Sequence, residues 1–99
     1  MIRGSSDRSL YILTSLASGP KHGYALMQDI ETFAGVRLGA GSLYGCLAKL
    51  EAQGLVEPLP SDDRRRPYRI TAGGTFALKE QLEKAQQLAT VGLRRIAQA

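Results

Sequence analysis

The sequence of 99 residues has no tryptophan, one cysteine and one histidine. A single cysteine excludes an internal disulfide, and with it the stapled architecture of small secreted proteins. One histidine, one cysteine and scattered carboxylates leave no metal-ligand spacing and no nucleophile–base pair. The Gly73-Gly74 pair lacks the lysine and the spacing of a phosphate-binding loop. No catalytic residue, metal or cofactor is therefore expected. No apolar run approaches the ~20 residues needed to cross a membrane, and no signal-peptide pattern is visible. Repeats and low-complexity stretches are absent too. The expectation is a protein of the reducing cytoplasm, and no enzyme.

What is present is ordinary in amount and uneven in placement. Hydrophobic residues make up 43% and charged residues 22%, which suits a globular chain and argues against disorder. At this length one modest core is expected. The formal net charge is +4, with a sequence pI of about 9.6. That balance favours an anionic partner only weakly. The clustering says more, because Arg64, Arg65, Arg66 and Arg69 stand against Asp62 and Asp63 within a few residues.

Periodicity divides the chain into elements. A first helix is expected over residues 7–18, capped by Ser6 or Asp7, with Leu10, Ile12, Leu13 and Leu16 as its apolar face. Met1 to Ser6 reads as a frayed arm, and Ser18-Gly19-Pro20 stops the helix. A second helix is expected from about His22 to Ala34, with Tyr24, Leu26, Met27, Ile30 and Phe33 facing inward and Gly35 ending it. Val36-Arg37-Leu38 has the makings of a very short strand. A third helix, capped by Ser42, runs to Gln53 and closes on Gly54. Leu55 to Pro60 reads as a strand, kept to the edge or cut short by Pro58, and Tyr68-Arg69-Ile70 as its return. Thr71 caps a final helix to about Gln98, whose first turn Gly73 and Gly74 weaken by ~1 kcal/mol each.

Two of these helices carry unusual faces. In the third, Leu43, Leu47 and Leu50 fall within about 60° of arc. The opposite side carries Gly45, Ala48, Lys49 and Ala52, with Ser42 at its leading edge, and so is bare enough to approach another surface closely. In the last helix Leu78, Leu82, Ala85, Ala89, Leu93 and Ile96 are spaced 4, 3, 4, 4, 3, close to a heptad seam. Phe76, Leu88 and Val91 lie off that stripe. A helix apolar on two sides exceeds what one small domain covers, so a second copy is the natural partner.

A slim helix beside a basic hairpin suits insertion into the major groove with arginines on the phosphates. Ser42, Tyr44 and Lys49 are then candidates to meet DNA, with Gly45 and Ala48 permitting close approach. Tyr44 either offers its hydroxyl to a phosphate or joins the core. Arg64, Arg65 and Arg66 serve phosphates well, since each guanidinium donates two hydrogen bonds at once; alone, such a run is a solvated loop. Asp62 and Asp63 are available to pair with them when DNA is absent. His22-Gly23-Tyr24 opens a helix whose N-terminal amides attract phosphate, with Lys21 or Tyr24 adding to that, or else supplies a turn histidine and a core tyrosine. Cys46, beside the core, reads as a small buried apolar residue in preference to a redox switch, and no cationic cluster is evident near it.

The order helix, strand, basic turn, strand resembles a winged helix-turn-helix. Four segments carry a closer likeness: H-G-Y at 22–24, G-S-L-Y at 41–44, L-A-K-L-E-A-Q-G-L-V at 47–56 and R-R-R-P-Y-R-I-T at 64–71. Over residues 9–75 the chain resembles the PadR-type (phenolic-acid decarboxylase regulator) transcription factors, with residues 76–99 similar in kind. The resemblance implies a homodimeric repressor that binds a palindromic operator in double-stranded DNA through the third helix and wing and pairs through its last helix. It also implies release from DNA by a small-molecule effector. By motif position it places Ser42, Tyr44, Lys49 and Arg64 to Arg66 toward DNA. Family members often carry proline where Gly45 and Ala72 stand here. The absence of tryptophan removes the aromatic with which some short members hold flat drugs in the last helix.

The expected fold is thus mainly α with a small β-hairpin. Residues 1–71 form a winged-helix DNA-binding domain and residues 72–99 a C-terminal dimerisation helix. Two rival readings share that fold: a module that contacts another protein through the bare helix face, and an RNA-binding winged helix. Salt-dependent binding that prefers duplex DNA separates the first reading from both.

Overall fold

The structure is a computed structural model that describes residues 4–62 and 64–99, with side chains from residue 7 onward. Its elements are α1 (Gly4–Leu16), α2 (Gly23–Ala34), α3 (Ala40–Ala52), β1 (Val56–Pro58), β2 (Tyr68–Ile70) and α4 (Ala72–Gln98). This is a winged helix-turn-helix with a long C-terminal helix.

α1 starts ahead of Ser6 and Asp7, so the two expected caps lie inside the helix, and Gly4 to Ser6 are helical instead of frayed. Residues 1–3 of the expected arm lie outside the described residues. Ile12, Leu13 and Leu16 are buried as the periodicity requires. Beside them sits a buried hydroxyl: Ser15 Oγ donates to Asp29 Oδ2 at 2.6 Å and ties α1 to α2. The end of α1 is held by Lys21. Its ammonium donates to the Ser15 carbonyl, to Ser18 Oγ at 2.7 Å and to the Gly19 carbonyl at 3.4 Å. A cation on the last carbonyls opposes the helix dipole, so Lys21 is engaged there and is not free to add to a phosphate site at α2.

α2 is capped by His22 and stopped by Gly35, whose φ of 68° favours a residue without a side chain. Leu26 and Ile30 enter the core, but Tyr24 is 59% exposed and Phe33 46%. Tyr24 lies about 160° around the helix from Leu26 and so faces solvent. Phe33 is on the inner stripe but one turn beyond the core, where it meets Tyr11 edge-on at 6.5 Å.

The hairpin pairs Val56 with Ile70, Glu57 with Arg69 and Pro58 with Tyr68. β1 ends at Pro58 on the edge, as expected of a residue that cannot donate to a ladder. Val36 to Leu38 form no strand; Leu38 is instead buried in the core. The third sheet partner comes from elsewhere. Lys21 bridges Tyr68, its N–H donating at 3.1 Å and its carbonyl accepting from the Tyr68 amide at 2.9 Å. The wing is thereby pinned to the start of α2.

α4 is fixed at its root. Thr71 Oγ1 accepts from the Gly74 amide at 3.0 Å and donates to the Gly54 carbonyl at 2.7 Å. Gly74 is demanded by packing, because a Cβ there would run into the Leu55 carbonyl and the Ile70 side chain. The 27-residue helix is about 40 Å long and gives the molecule its 57 Å long axis. Leu78 is 5% exposed and packs into the chain's own core. The part of the expected seam open to a second chain therefore begins at Leu82. Beyond it the side chains of residues 81–90 all face solvent.

Candidate nucleic-acid interface

α3 presents the bare face. Leu43, Leu47 and Leu50 point into the core at 0%, 0% and 2% exposure, while Gly45, Ala48, Lys49 and Ala52 are exposed on the other side. The helix begins earlier than expected, at Ala40 after Gly39, so Ser42 is not its cap but an exposed residue of its first turn. The Ala40-Gly41 pair is small enough to continue the helix back to Gly39, whose extended backbone caps it without a side chain. A Cβ built on Gly45 meets nothing within 4 Å. Packing among the described residues does not call for glycine there.

The two flanks of α3 differ. On one, the Tyr44 ring lies across Gly23 at the start of α2, where any added Cβ would strike its hydroxyl. Tyr44 is 48% exposed, so it closes the α2–α3 junction and still shows an edge to solvent. The root of the wing joins this flank. Burial, with the Glu51 carboxylate and Tyr44 adding to it, pushes the Tyr68 hydroxyl above its ordinary pKa, and Arg66 pulls the other way. The phenol stays protonated at neutral pH and keeps its donor. Next to it, His22 Nδ1 accepts from the Ala25 amide at 3.4 Å, which puts the proton of a neutral ring on Nε2. Exposed Tyr24 completes the edge, its hydroxyl accepting from Gln28 Nε2 at 3.1 Å.

The wing tip spans residues 60–66, closed by the Leu59 amide on the Pro67 carbonyl at 2.8 Å. Arg64, Arg65 and Arg66 are exposed on it. Arg69 is different in kind. Its Nε donates to Glu57 Oε2 at 2.9 Å across the hairpin, so its charge is answered within the sheet. Asp63, expected to pair with the arginines, lies outside the described residues.

The other flank of α3 was not legible in the sequence. A cleft of about 420 Å³ opens between α1 and α3, lined by Arg8, Ser9, Gly41, Ser42, Gly45, Cys46 and Lys49. Cys46 is half-buried at its side, with Sγ 3.5 Å from Ser9 Oγ. The sequence shows no cationic cluster near Cys46, with Lys49 alone one turn on; the fold adds Arg8 to the same cleft. No local signal marks Arg8, since the α1–α3 approach beside it, seen in the Ser9–Cys46 contact, joins residues 37 positions apart. Among the described residues no group of histidine, cysteine, aspartate or glutamate side chains is placed to hold a metal, and no helix is long and apolar enough to cross a membrane.

The outer part of α4 carries the second unusual surface. Leu82 is 44% exposed, Leu93 68% and Ile96 73%, with Ala85 and Ala89 exposed between them. Leu88 at 65% and Phe76 at 66% are exposed off that stripe.

Comparison with known proteins agrees with this geometry. The family model described as the transcriptional regulator PadR-like family matches residues 12–80. An uncharacterised 37.1 kDa protein of transposon Tn4556 from Streptomyces fradiae is 44% identical over 84 residues, which cover 85% of this chain and 24% of that protein. Transcriptional regulator Rv3488 of Mycobacterium tuberculosis is 40% identical over 83 residues, covering 81% of this chain and 77% of the relative. The chain thus spans about a quarter of the length of the first relative. A transcriptional regulator from Clostridium thermocellum has the same fold, with a TM-score of 0.77, 25% identity, and coverage of 92% of this chain and 94% of that one.

Proposed function

Because the chain belongs to the PadR-like family of transcriptional regulators, which are not enzymes, we propose that it acts as a homodimeric repressor that binds a palindromic operator and leaves it when a small molecule binds. The observation that carries the reading is the outward face of α3. It is free of bulk at Gly45, Ala48 and Ala52, packing does not require the glycine, and Ser42, Tyr44 and Lys49 flank it. Such a helix seats deeply in a groove about 12 Å wide. Arg64, Arg65 and Arg66 on the wing, with His22, Tyr24 and the α2 amides, supply contacts to the backbone that position α3 without reading sequence.

The dimer rests on Leu82, Ala85, Ala89, Leu93 and Ile96, all of them exposed. Burying such leucines is worth roughly 1.5–3 kcal/mol each. A two-fold pair presents two copies of α3 to one face of DNA, on half-sites about 34–36 Å apart. In this reading residues 1–71 bind DNA and residues 72–99 join the copies, with the first two turns of α4 fixed to the body by Gly74 and Leu78.

Ala48→Glu tests the docking face. The carboxylate points at the groove, so footprinting should show loss of operator protection while stability in chemical denaturation stays within about 0.5 kcal/mol of wild type. A variant that still protects the operator contradicts the assignment of α3.

A further inference from the structure

The cleft between α1 and α3 holds two cations and no acid. Arg8 enters from α1 and Lys49 from α3, with the hydroxyls of Ser9 and Ser42 between them. Among the described residues no carboxylate pairs with either cation, whereas Arg37 and Arg69 each have a glutamate. What sets this cleft apart is that two like charges share it with no acid in its lining.

The position of the cleft points to what does. Gly41 and Gly45 of the bare face form part of its lining, so it opens onto the surface proposed to enter DNA. It sits on the flank of α3 away from the wing root, since Tyr44, Glu51, Arg66 and Tyr68 gather on the other. A helix about 10–12 Å across nearly fills a major groove about 12 Å wide, so each flank faces one wall of phosphates. The wing and the start of α2 serve one wall. Nothing so far serves the other.

We propose that this cleft seats a DNA backbone phosphate on the second wall of the groove, held by the Arg8 guanidinium and the Lys49 ammonium with the exposed Ser42 hydroxyl as a further donor. The proposal rests on the DNA-binding reading above and adds a residue, Arg8, that lies outside both the recognition helix and the wing. The guanidinium fork matches two phosphate oxygens at once, and the lysine contributes a point charge. The phosphate removes the repulsion between the two cations, so the seat is completed by DNA and left unsatisfied without it.

The test compares Arg8→Ala and Arg8→Lys with wild type in salt titrations against operator and random duplexes. Each phosphate contact contributes about 0.9 to the slope of log affinity against log salt. Arg8→Ala should lower the slope by about 1.8 for a dimer, equally on both duplexes, with an unchanged melting curve; Arg8→Lys should keep most of it. In an Arg64/Arg65/Arg66→Ala background the same decrement should appear again, because the two sites grip different walls. If wild type binds duplexes and Arg8→Ala keeps the full slope, the seat is wrong and the α3 reading stands. A wild-type chain that binds no duplex overturns both. Inorganic phosphate is the remaining arm, tested against chloride at equal ionic strength. If it raises the melting temperature of wild type but not of Arg8→Ala, while the duplex slopes stay equal, the cleft is a free-anion site and the proposal fails.

Discussion

The inner side of α3 and the outer part of α4 are made of the same kind of residue and meet opposite fates. Leu43, Leu47 and Leu50 are at most 2% exposed, whereas Leu82, Leu93 and Ile96 are between 44% and 73% exposed. Their spacing along the helix is equally regular. What separates them is cover: α1, α2 and the hairpin close over α3, while α4 leaves the body after Leu78. Hydrophobic periodicity says that a face will be buried and not by which chain. The outward side of α3 teaches the complementary lesson. It is as unusual for lacking bulk as α4 is for having it, and both surfaces lie open to solvent.

The largest effect should come from attacking the uncovered side. Leu82→Asp with Leu93→Asp places charges in the proposed seam, where each leucine is worth roughly 1.5–3 kcal/mol and each buried charge costs more. Sedimentation should find monomer at micromolar concentration, and tight operator binding should go with the dimer although α3 and the wing are untouched. A double variant that remains a dimer would show that the seam lies elsewhere.

A smaller pair of changes sharpens the contrast. Leu47→Ala should cost about 2–5 kcal/mol of stability at any protein concentration, because its cover is in the same chain. Leu93→Ala should cost less at low concentration and more at high, since its cover comes by mass action from the second copy. Denaturation at two concentrations tells them apart. A Leu93→Ala loss independent of concentration would mean that α4 folds back on its own body.

The smallest effect concerns the joint between the two regions. Thr71→Ala removes the cap of α4 and the bond to Gly54, for a loss of about 1 kcal/mol in chemical denaturation. No measurable loss would leave the tight fit of Gly74 under Leu55 as what holds the helix root.

The same distinction between local and distant causes explains which features could be read in advance. Leu43, Leu47 and Leu50, the Pro58 edge, the Thr71 cap and the Gly35 stop are local, and periodicity or backbone chemistry marks each one. The start of α3 differs from its expected place because Ser42 is a better cap by side chain than Gly39, while the helix takes the earlier backbone position. Lys21 was beyond local reasoning: its pairing with Tyr68 joins residues far apart in the chain, and its ammonium caps a helix that had already ended. Leu78 looked like the first residue of an exposed seam because nothing in its spacing says that α1 and β2 reach that far along α4. Arg8 carries no signal at all until α1 is laid against α3.

The account turns on a two-fold dimer reading DNA through α3, and enrichment of bound fragments from random duplex DNA by the purified wild-type protein tests that most directly. The expected result is an inverted repeat with half-site centres one helical turn, about 34–36 Å, apart. An enriched site without dyad symmetry, or no enrichment over input at low salt, would contradict it.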